Sequence, residues 1–196
     1  APLDLANVDT DQLIPARFLK LPRDARYPGY LFHDVRRDDA GALRPDFVLN
    51  RDPWRDAEVL VAGRNFGCGS SREAAVYVLA DSGFRAVVAP SFGDIFYSNA
   101  MKNGLLPIRL PDATCAALRQ GLAERQGGRL AIDLENQTVT GPDGAAHRFE
   151  ISAFHKRCLL EGLDDIGFTL AQSTEIEATE ARRARDLPWL KPASAL

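Results

Sequence analysis

Apolar positions along the chain first gather into an unbroken run at Val59-Leu60-Val61-Ala62, just after Ala57-Glu58. Runs of this length with β-branched residues predict a strand buried on both faces. Phe84-Arg85-Ala86-Val87-Val88-Ala89 predicts a second, and residues 105–110 are apolar again. Between the first two lies a glycine-rich turn and then a helical segment over about 71–82. Strand, glycine turn, helix and strand in that order are the sequence form of a parallel βαβ crossover. Ser91, with Asp94 following it, predicts the start of another helix, and Gly104 its stop.

The second half alternates on a shorter scale. Residues 129–134 and 138–140 predict short strands, Gly141-Pro142-Asp143-Gly144 a tight turn, and residues 147–151 a further strand. A helix over about 152–161 ends at Gly162. A last one, over about 173–185, carries Glu175, Glu177 and Glu180 early and Arg182, Arg183 and Arg185 late, the order that suits the helix dipole. Near the N-terminus, Asn7-Val8-Asp9-Thr10-Asp11-Gln12-Leu13-Ile14-Pro15 is a turn of short polar side chains leading into apolar ones. Residues 22–50 have little periodicity and predict a long loop of the kind that is often functional or mobile. The expectation is one α/β domain with a mixed sheet over residues 1–187 and a tail over 188–196.

Composition narrows the function classes. With 196 residues, 45% of them hydrophobic and 26% charged, the chain is long enough for one well-buried core. A net charge of −3 without like-charge runs argues against nucleic acid and against a membrane surface. No apolar stretch is long enough to span a bilayer. Cys68, Cys115 and Cys158 are odd in number and fit no C-x-x-C pattern, which reads as reduced thiols in a cytoplasmic protein. His33, His147 and His155 are scattered, and no complete metal site is visible. The chain starts at Ala1, which leaves room for a removed leader.

The chemistry-bearing segment is Arg64-Asn65-Phe66-Gly67-Cys68-Gly69-Ser70-Ser71-Arg72-Glu73. Its glycines let the backbone turn tightly after a strand and approach a ligand. The helix start that follows would offer unpaired N–H groups to a carboxylate or phosphate. Arg72 adds a planar two-pronged grip, and a serine in such a field can accept a proton while N–H groups stabilise its alkoxide. Ser70 and Glu73 also have the spacing of a capping box, which accounts for both without catalysis. A P-loop would need Lys where Arg72 stands, and an acyl-transfer serine would need G-x-S-x-G, which is absent.

Much longer stretches carry a resemblance. The segments from Pro2-Leu3-Asp4 to Pro15, Pro45-Asp46-Phe47-Val48-Leu49-Asn50, the 65–73 motif, Gly83-Phe84-Arg85 through Pro107, and Gly162-Leu163-Asp164-Asp165-Ile166-Gly167 resemble the bacterial 3-isopropylmalate dehydratase small-subunit family. That resemblance implies an aconitase-superfamily swivelling domain, a β/β/α fold with a mixed sheet or partial barrel flanked by helices. It implies a separate large subunit as partner, carrying a [4Fe–4S] cluster, with no cofactor in this chain, and a small dicarboxylic hydroxy acid as substrate. It places the catalytic base on Ser70 and substrate contacts on Ser71 and Arg72.

The resemblance also marks Tyr30-Leu31-Phe32-His33-Asp34-Val35-Arg36-Arg37 as a substrate-recognition loop. Leu31 and Phe32 would contact an isopropyl group and Arg36 would assist, unless the apolar pair simply anchors a mobile loop. Cys68 reads as packing or site-lining, and Trp54 and Trp189 as packing or surface cover. Two departures from the family pattern stand out. Ala74 occupies the position where a His usually follows the Ser-Ser-Arg-Glu run, and the chain begins partway into the family's first strand. Ala74 keeps open a sister hydro-lyase acting on another 2-hydroxy diacid of the methylmalate/citraconate type. A non-catalytic binding module of the same fold is the reading from another class.

Overall fold

The computed structural model describes residues 1–125 and 127–190. Helices α1 (Thr10–Leu13) and α2 (His33–Arg36) precede the first strand, β1 (Val59–Val61). Then α3 (Ala74–Asp81), β2 (Ala86–Ala89), α4 (Asp94–Lys102), β3 (Leu106–Arg109) and α5 (Asp112–Glu124) alternate. Strands β4 (Ala131–Asp133), β5 (Thr138–Thr140) and β6 (Ala146–Arg148) follow, and α6 (Ala153–Glu161), α7 (Asp165–Leu170) and α8 (Ser173–Asp186) close the chain.

Strands β1, β2 and β3 form a parallel sheet in that order, with Leu60 opposite Val87 and Val88 opposite Ile108. The predicted crossover is therefore present. The N-terminal segment extends the sheet beside β1: Pro2 bridges Val61 in parallel, and Val61 N–H donates to the Ala1 carbonyl at 2.9 Å. Because side chains alternate along a strand, the sheet feeds two cores. Leu60, Val87 and Ala89 join Leu13, Leu31, Phe32, Val76 and Leu79. Val61, Val88 and Ile108 face Cys115, Leu118 and Leu122 of α5, together with Val139 and Phe149. Each of the Val, Leu, Ile and Phe side chains among them contributes about 1.5–3 kcal/mol when taken fully out of water, before entropy is counted.

Helix α3 turns Ala75, Val76, Val78 and Leu79 inward and stops at Gly83, whose φ of +92° sets a left-handed cap. Phe84 N–H then reaches back to the Leu79 carbonyl at 3.1 Å, closing the orphan carbonyls of the last turn. Helix α4 ends in the same manner at Gly104, with Leu105 N–H on the Ala100 carbonyl at 3.0 Å.

Strands β4, β5 and β6 make a separate antiparallel sheet, with Ile132 opposite Val139 and Val139 opposite His147. Parallel and antiparallel pairing both occur, as an α/β fold of this type requires, but in two sheets rather than within one mixed sheet. The reason lies in their burial: Val139 is the buried position in these short strands, and it lies against the α5 side of the parallel sheet as a flap.

The 22–50 segment also differs from the long loop that was expected. It is pinned by the short 3-10 turns Tyr27–Tyr30 and Val48–Asn50 around α2, with Tyr27, Leu31, Phe32, Val48 and Leu49 buried. Helices α5 and α7 add to the predicted elements. At the C-terminus, α8 buries none of its residues, Trp189 stands 74% exposed, and the 188–196 tail begins as the 3-10 turn Pro188–Leu190. Residues 191–196 lie outside the described residues.

Candidate active site

The 64–73 segment leaves the end of β1 and is held from both sides. On one side lies the N-terminal turn. Asn7 N–H donates to the Arg64 carbonyl at 2.8 Å, and the Val8 carbonyl accepts from Gly67 N–H at 2.7 Å and Cys68 N–H at 3.2 Å. Asn65 Nδ2 donates to Asn7 Oδ1 at 3.0 Å, joining two asparagines that both have left-handed backbones. On the other side lies the approach to α4. Ser91 Oγ accepts from Asn65 N–H at 2.9 Å, and Gly93 N–H donates to the Phe66 carbonyl at 2.9 Å. Ser91 is thus not the helix cap its spacing predicts; Gly93 occupies the cap position without a side-chain bond, and the serine ties down the site loop instead.

Under the loop, Phe66, Phe92 and Phe96 pack as a cluster, with Phe66 edge-on to Phe96 at a centroid distance of 5.4 Å. That packing explains Gly67. Its φ is +71°, and a Cβ there would fall 2.2 Å from Phe96 Cγ. Gly69, with φ +87°, makes the second turn that delivers Ser70 to the surface.

Ser70 and Ser71 are exposed, and neither hydroxyl forms a hydrogen bond among the described residues. The Ser70 backbone is held firmly all the same. Buried Thr10 donates its Oγ1 proton to the Ser70 carbonyl at 2.9 Å, while Thr10 N–H bonds the Cys68 carbonyl at 2.9 Å. Arg72 is mostly covered, with its side chain 17% exposed, and its Nη1 pairs with the carboxylate of Asp11.

The capping box does not form. Helix α3 starts at Ala74 with Glu73 in the cap position and no side-chain cap bond. Glu73 Oε1 instead accepts from Asn103 Nδ2 at 2.9 Å, tying the start of α3 to the end of α4. Ser70 therefore lies upstream of the turn where a helix dipole acts. The backbone supplies a different field. Among the described residues, the consecutive N–H groups of Gly69, Ser70, Ser71, Arg72, Glu73 and Ala74 have no hydrogen-bond acceptor. Successive open N–H groups are free to receive an anion, and Arg72 belongs to the same stretch of chain.

The recognition-loop residues are placed differently. Leu31 and Phe32 are 1% and 0% exposed and belong to the core, so neither can touch an isopropyl group in this conformation. The alternative of an apolar anchor fits them, although the segment they anchor is itself packed. Arg36 is drawn inward as well. Its Nε donates to Asn50 Oδ1 at 2.9 Å and its Nη2 to the Leu49 carbonyl at 3.2 Å, and burial lowers its pKa from the usual guanidinium range. The buried Asn50 completes this knot with bonds to the Arg36 and Arg44 carbonyls.

Two of the three histidines are engaged away from Ser70 and Ser71. His33 bonds Asp34, whose carboxyl the Arg17 guanidinium holds well below the ordinary carboxylate range, and His155 bonds Ser152. Cys68 is half-buried, and burial raises its pKa, so it is a thiol in the wall of the loop rather than a thiolate. Trp54 packs between the two cores. Among the described residues, no group of three His, Cys, Asp or Glu side chains converges to hold a metal ion. Asp11, Thr10, Asn7 and Ser91 join the site although the sequence marks them only as a polar turn and a helix start.

Comparison with known proteins shows what the chain as a whole is similar to. Residues 1–113 match the aconitase C-terminal domain and residues 116–153 match LeuD_N. Residues 165–193 match the C-terminal domain of the 3-isopropylmalate dehydratase small subunit. The 3-isopropylmalate dehydratase small subunit of Dinoroseobacter shibae is 50% identical over 97% of this chain and 94% of its own length. That of Rhodospirillum rubrum is 49% identical over 100% and 95%. A crystal structure of 3-isopropylmalate dehydratase (leuD) from Methanocaldococcus jannaschii is similar with a TM-score of 0.61 and 28% identity, covering 91% of this chain and 95% of that one. A likeness this long, in both sequence and fold, makes the chain a member of the 3-isopropylmalate dehydratase small-subunit family.

Proposed function

We propose that this chain is the small subunit of a 3-isopropylmalate dehydratase, a hydro-lyase that interconverts 2-isopropylmalate and 3-isopropylmalate through isopropylmaleate in leucine biosynthesis. The observation that carries the reading is the set of open N–H groups on residues 69–74 around exposed Ser70 and Ser71, with Arg72 beside them. Ser70 is the base that takes the proton from substrate carbon, its alkoxide stabilised by those N–H groups as in an oxyanion hole. Arg72 grips a substrate carboxylate, and Ser71 contacts the substrate next to it.

This is half of an active site, and the other half belongs to a large subunit. Cys68 is the one cysteine in the site loop, and a single thiol is fewer than the several ligands an iron–sulfur cluster takes. We assign the [4Fe–4S] cluster implied by the family resemblance to the large subunit, where it would supply Lewis-acid chemistry. Free thiols fit the reducing cytoplasm, and no described helix is long and apolar enough to cross a membrane.

Ala74 favours a second reading, a sister enzyme for a methylmalate/citraconate-type diacid. With Leu31 and Phe32 buried, the apolar contacts expected for an isopropyl group are not presented beside the serines. Reconstitution with the anaerobically prepared large subunit decides between them. Isopropylmaleate should be hydrated by the complex and by neither subunit alone; turnover of citraconate without isopropylmaleate would overturn the leucine assignment.

A further inference from the structure

We propose that Asp11 is a positioning residue that holds Arg72 for the substrate, its carboxylate occupying the guanidinium in the free chain until a substrate carboxylate replaces it. This deepens the reading of Arg72 as the carboxylate grip and rests on it. Arg72 is the best-covered member of the exposed site, and its Nη1–Asp11 contact is the one hydrogen bond its guanidinium makes among the described residues. A guanidinium has five N–H donors, so the rest remain open to a ligand.

The partner on the other side is built to exchange. Asp11 is 53% exposed at its side chain, and pairs of that exposure are weak enough to be displaced. Nor does it cap the helix it sits on. Asp9 caps α1, with its Oδ1 accepting from Gln12 N–H at 2.7 Å, and Gln12 Oε1 returns the bond to Asp9 N–H at 3.0 Å. Asp11 is left with Arg72 as its hydrogen-bonding partner among the described residues. The turn that carries Asp11 is also the one that fixes Ser70, through Thr10 next door. The same short helix thus sets the height of the base and the direction of the grip. A carboxylate already seated on Arg72 keeps the fork aimed at the site, but it must be displaced before another carboxylate binds, and that displacement outweighs the side-chain freedom saved. It also makes the free chain a poor binder of stray carboxylates.

The test is malonate binding to the full isolated chain, read from the amide NMR signals of Gly69 and Ser70. Asp11→Asn should bind malonate about fivefold more tightly than wild type, the scale of one exposed ion pair. Asp9→Asn removes the same charge but keeps a competent cap, and should change binding less than about twofold. In an Arg72→Ala background the gain from Asp11→Asn should vanish, because Asp11 acts through that guanidinium. Equal gains in the two asparagine variants, a gain that survives without Arg72, or no gain at all would each overturn the proposal. The result is separable from the enzyme assignment: a reconstituted complex inert toward isopropylmaleate removes the assignment and leaves the malonate cycle standing.

Discussion

The hydroxyl of Thr10 donates to the carbonyl of Ser70 at 2.9 Å, across 60 residues of chain. Thr10 is 2% exposed, so this bond is shielded from water and sets where the serine stands. Thr10→Val keeps the shape and removes the donor. It should cost about 1 kcal/mol of stability, the net worth of one hydrogen bond. Turnover by the reconstituted complex should fall about tenfold through kcat rather than KM, as expected for a displaced base. Thr10→Ser should restore most of it, and a Thr10→Val enzyme with full kcat would show that the bond does not position Ser70.

Ser70→Ala should lower kcat by roughly 10²- to 10⁴-fold, the usual contribution of a general base. Its melting temperature should match wild type, because the Ser70 hydroxyl bonds nothing among the described residues and the capping box is absent. Calorimetry on the variant checks this directly, and a loss of several degrees would make the serine structural.

Gly93→Ala should destabilise strongly. A Cβ at that position would lie 2.5 Å from the Gly67 carbonyl oxygen and 3.2 Å from Cys68 Cα, all backbone of the site loop. Overpacking of this kind costs about 1–3 kcal/mol. Urea unfolding measures that cost, and activity in the reconstituted complex should drop with it because the loop must shift.

Phe32→Ala should cost about 3–5 kcal/mol, as for other large-to-small changes in a core. Chemical denaturation is the relevant measurement, with substrate preference as its counterpart. Unchanged stability with altered preference between isopropylmaleate and citraconate would return Phe32 to the substrate.

Burial pushes the Cys115 thiol from 9.0 up to about 11. Folding therefore favours the neutral thiol over the thiolate. The stability tied to it is fully present below pH 9 and is lost as pH rises through about 11. Denaturation midpoints at pH 8 and pH 10.5 should separate further for wild type than for Cys115→Ala. Thiol reagents at pH 8 should spare Cys115 in the folded chain and modify it after unfolding.

The parallel crossover is legible because Val59-Leu60-Val61 and Ala86-Val87-Val88-Ala89 are unbroken apolar runs with turn glycines between them. Helix α5 is harder to see. Its buried side chains, Cys115, Leu118 and Leu122, are spaced for a helix but set among alanines and polar residues. The long segment before β1 misleads for another reason: Tyr27, Leu31, Phe32, Val48 and Leu49 are anchors with no common period, so only tertiary packing reveals them. At the site, the glycines and the Ser-Ser-Arg run are visible locally. The Asp11–Arg72 pair is not, since its members are 61 residues apart and leave no local trace. Ser70 and Glu73 satisfy a helix-cap spacing that the backbone does not use, because Glu73 is taken by Asn103 instead.

The knot around the site loop has a consequence for the order of folding. Ser70 is joined to Thr10, Asn65 to Ser91 and Asn7, and Arg72 to Asp11, at separations of 60, 26, 58 and 61 residues. Contacts that distant form only after the loops between them have closed, which is the slow part of folding a chain of this topology. A ribosome must therefore release the chain well past Ser91 before the serine acquires its setting. The open N–H stretch belongs to the finished sheet, and a half-made chain has no working grip to offer metabolites as it emerges.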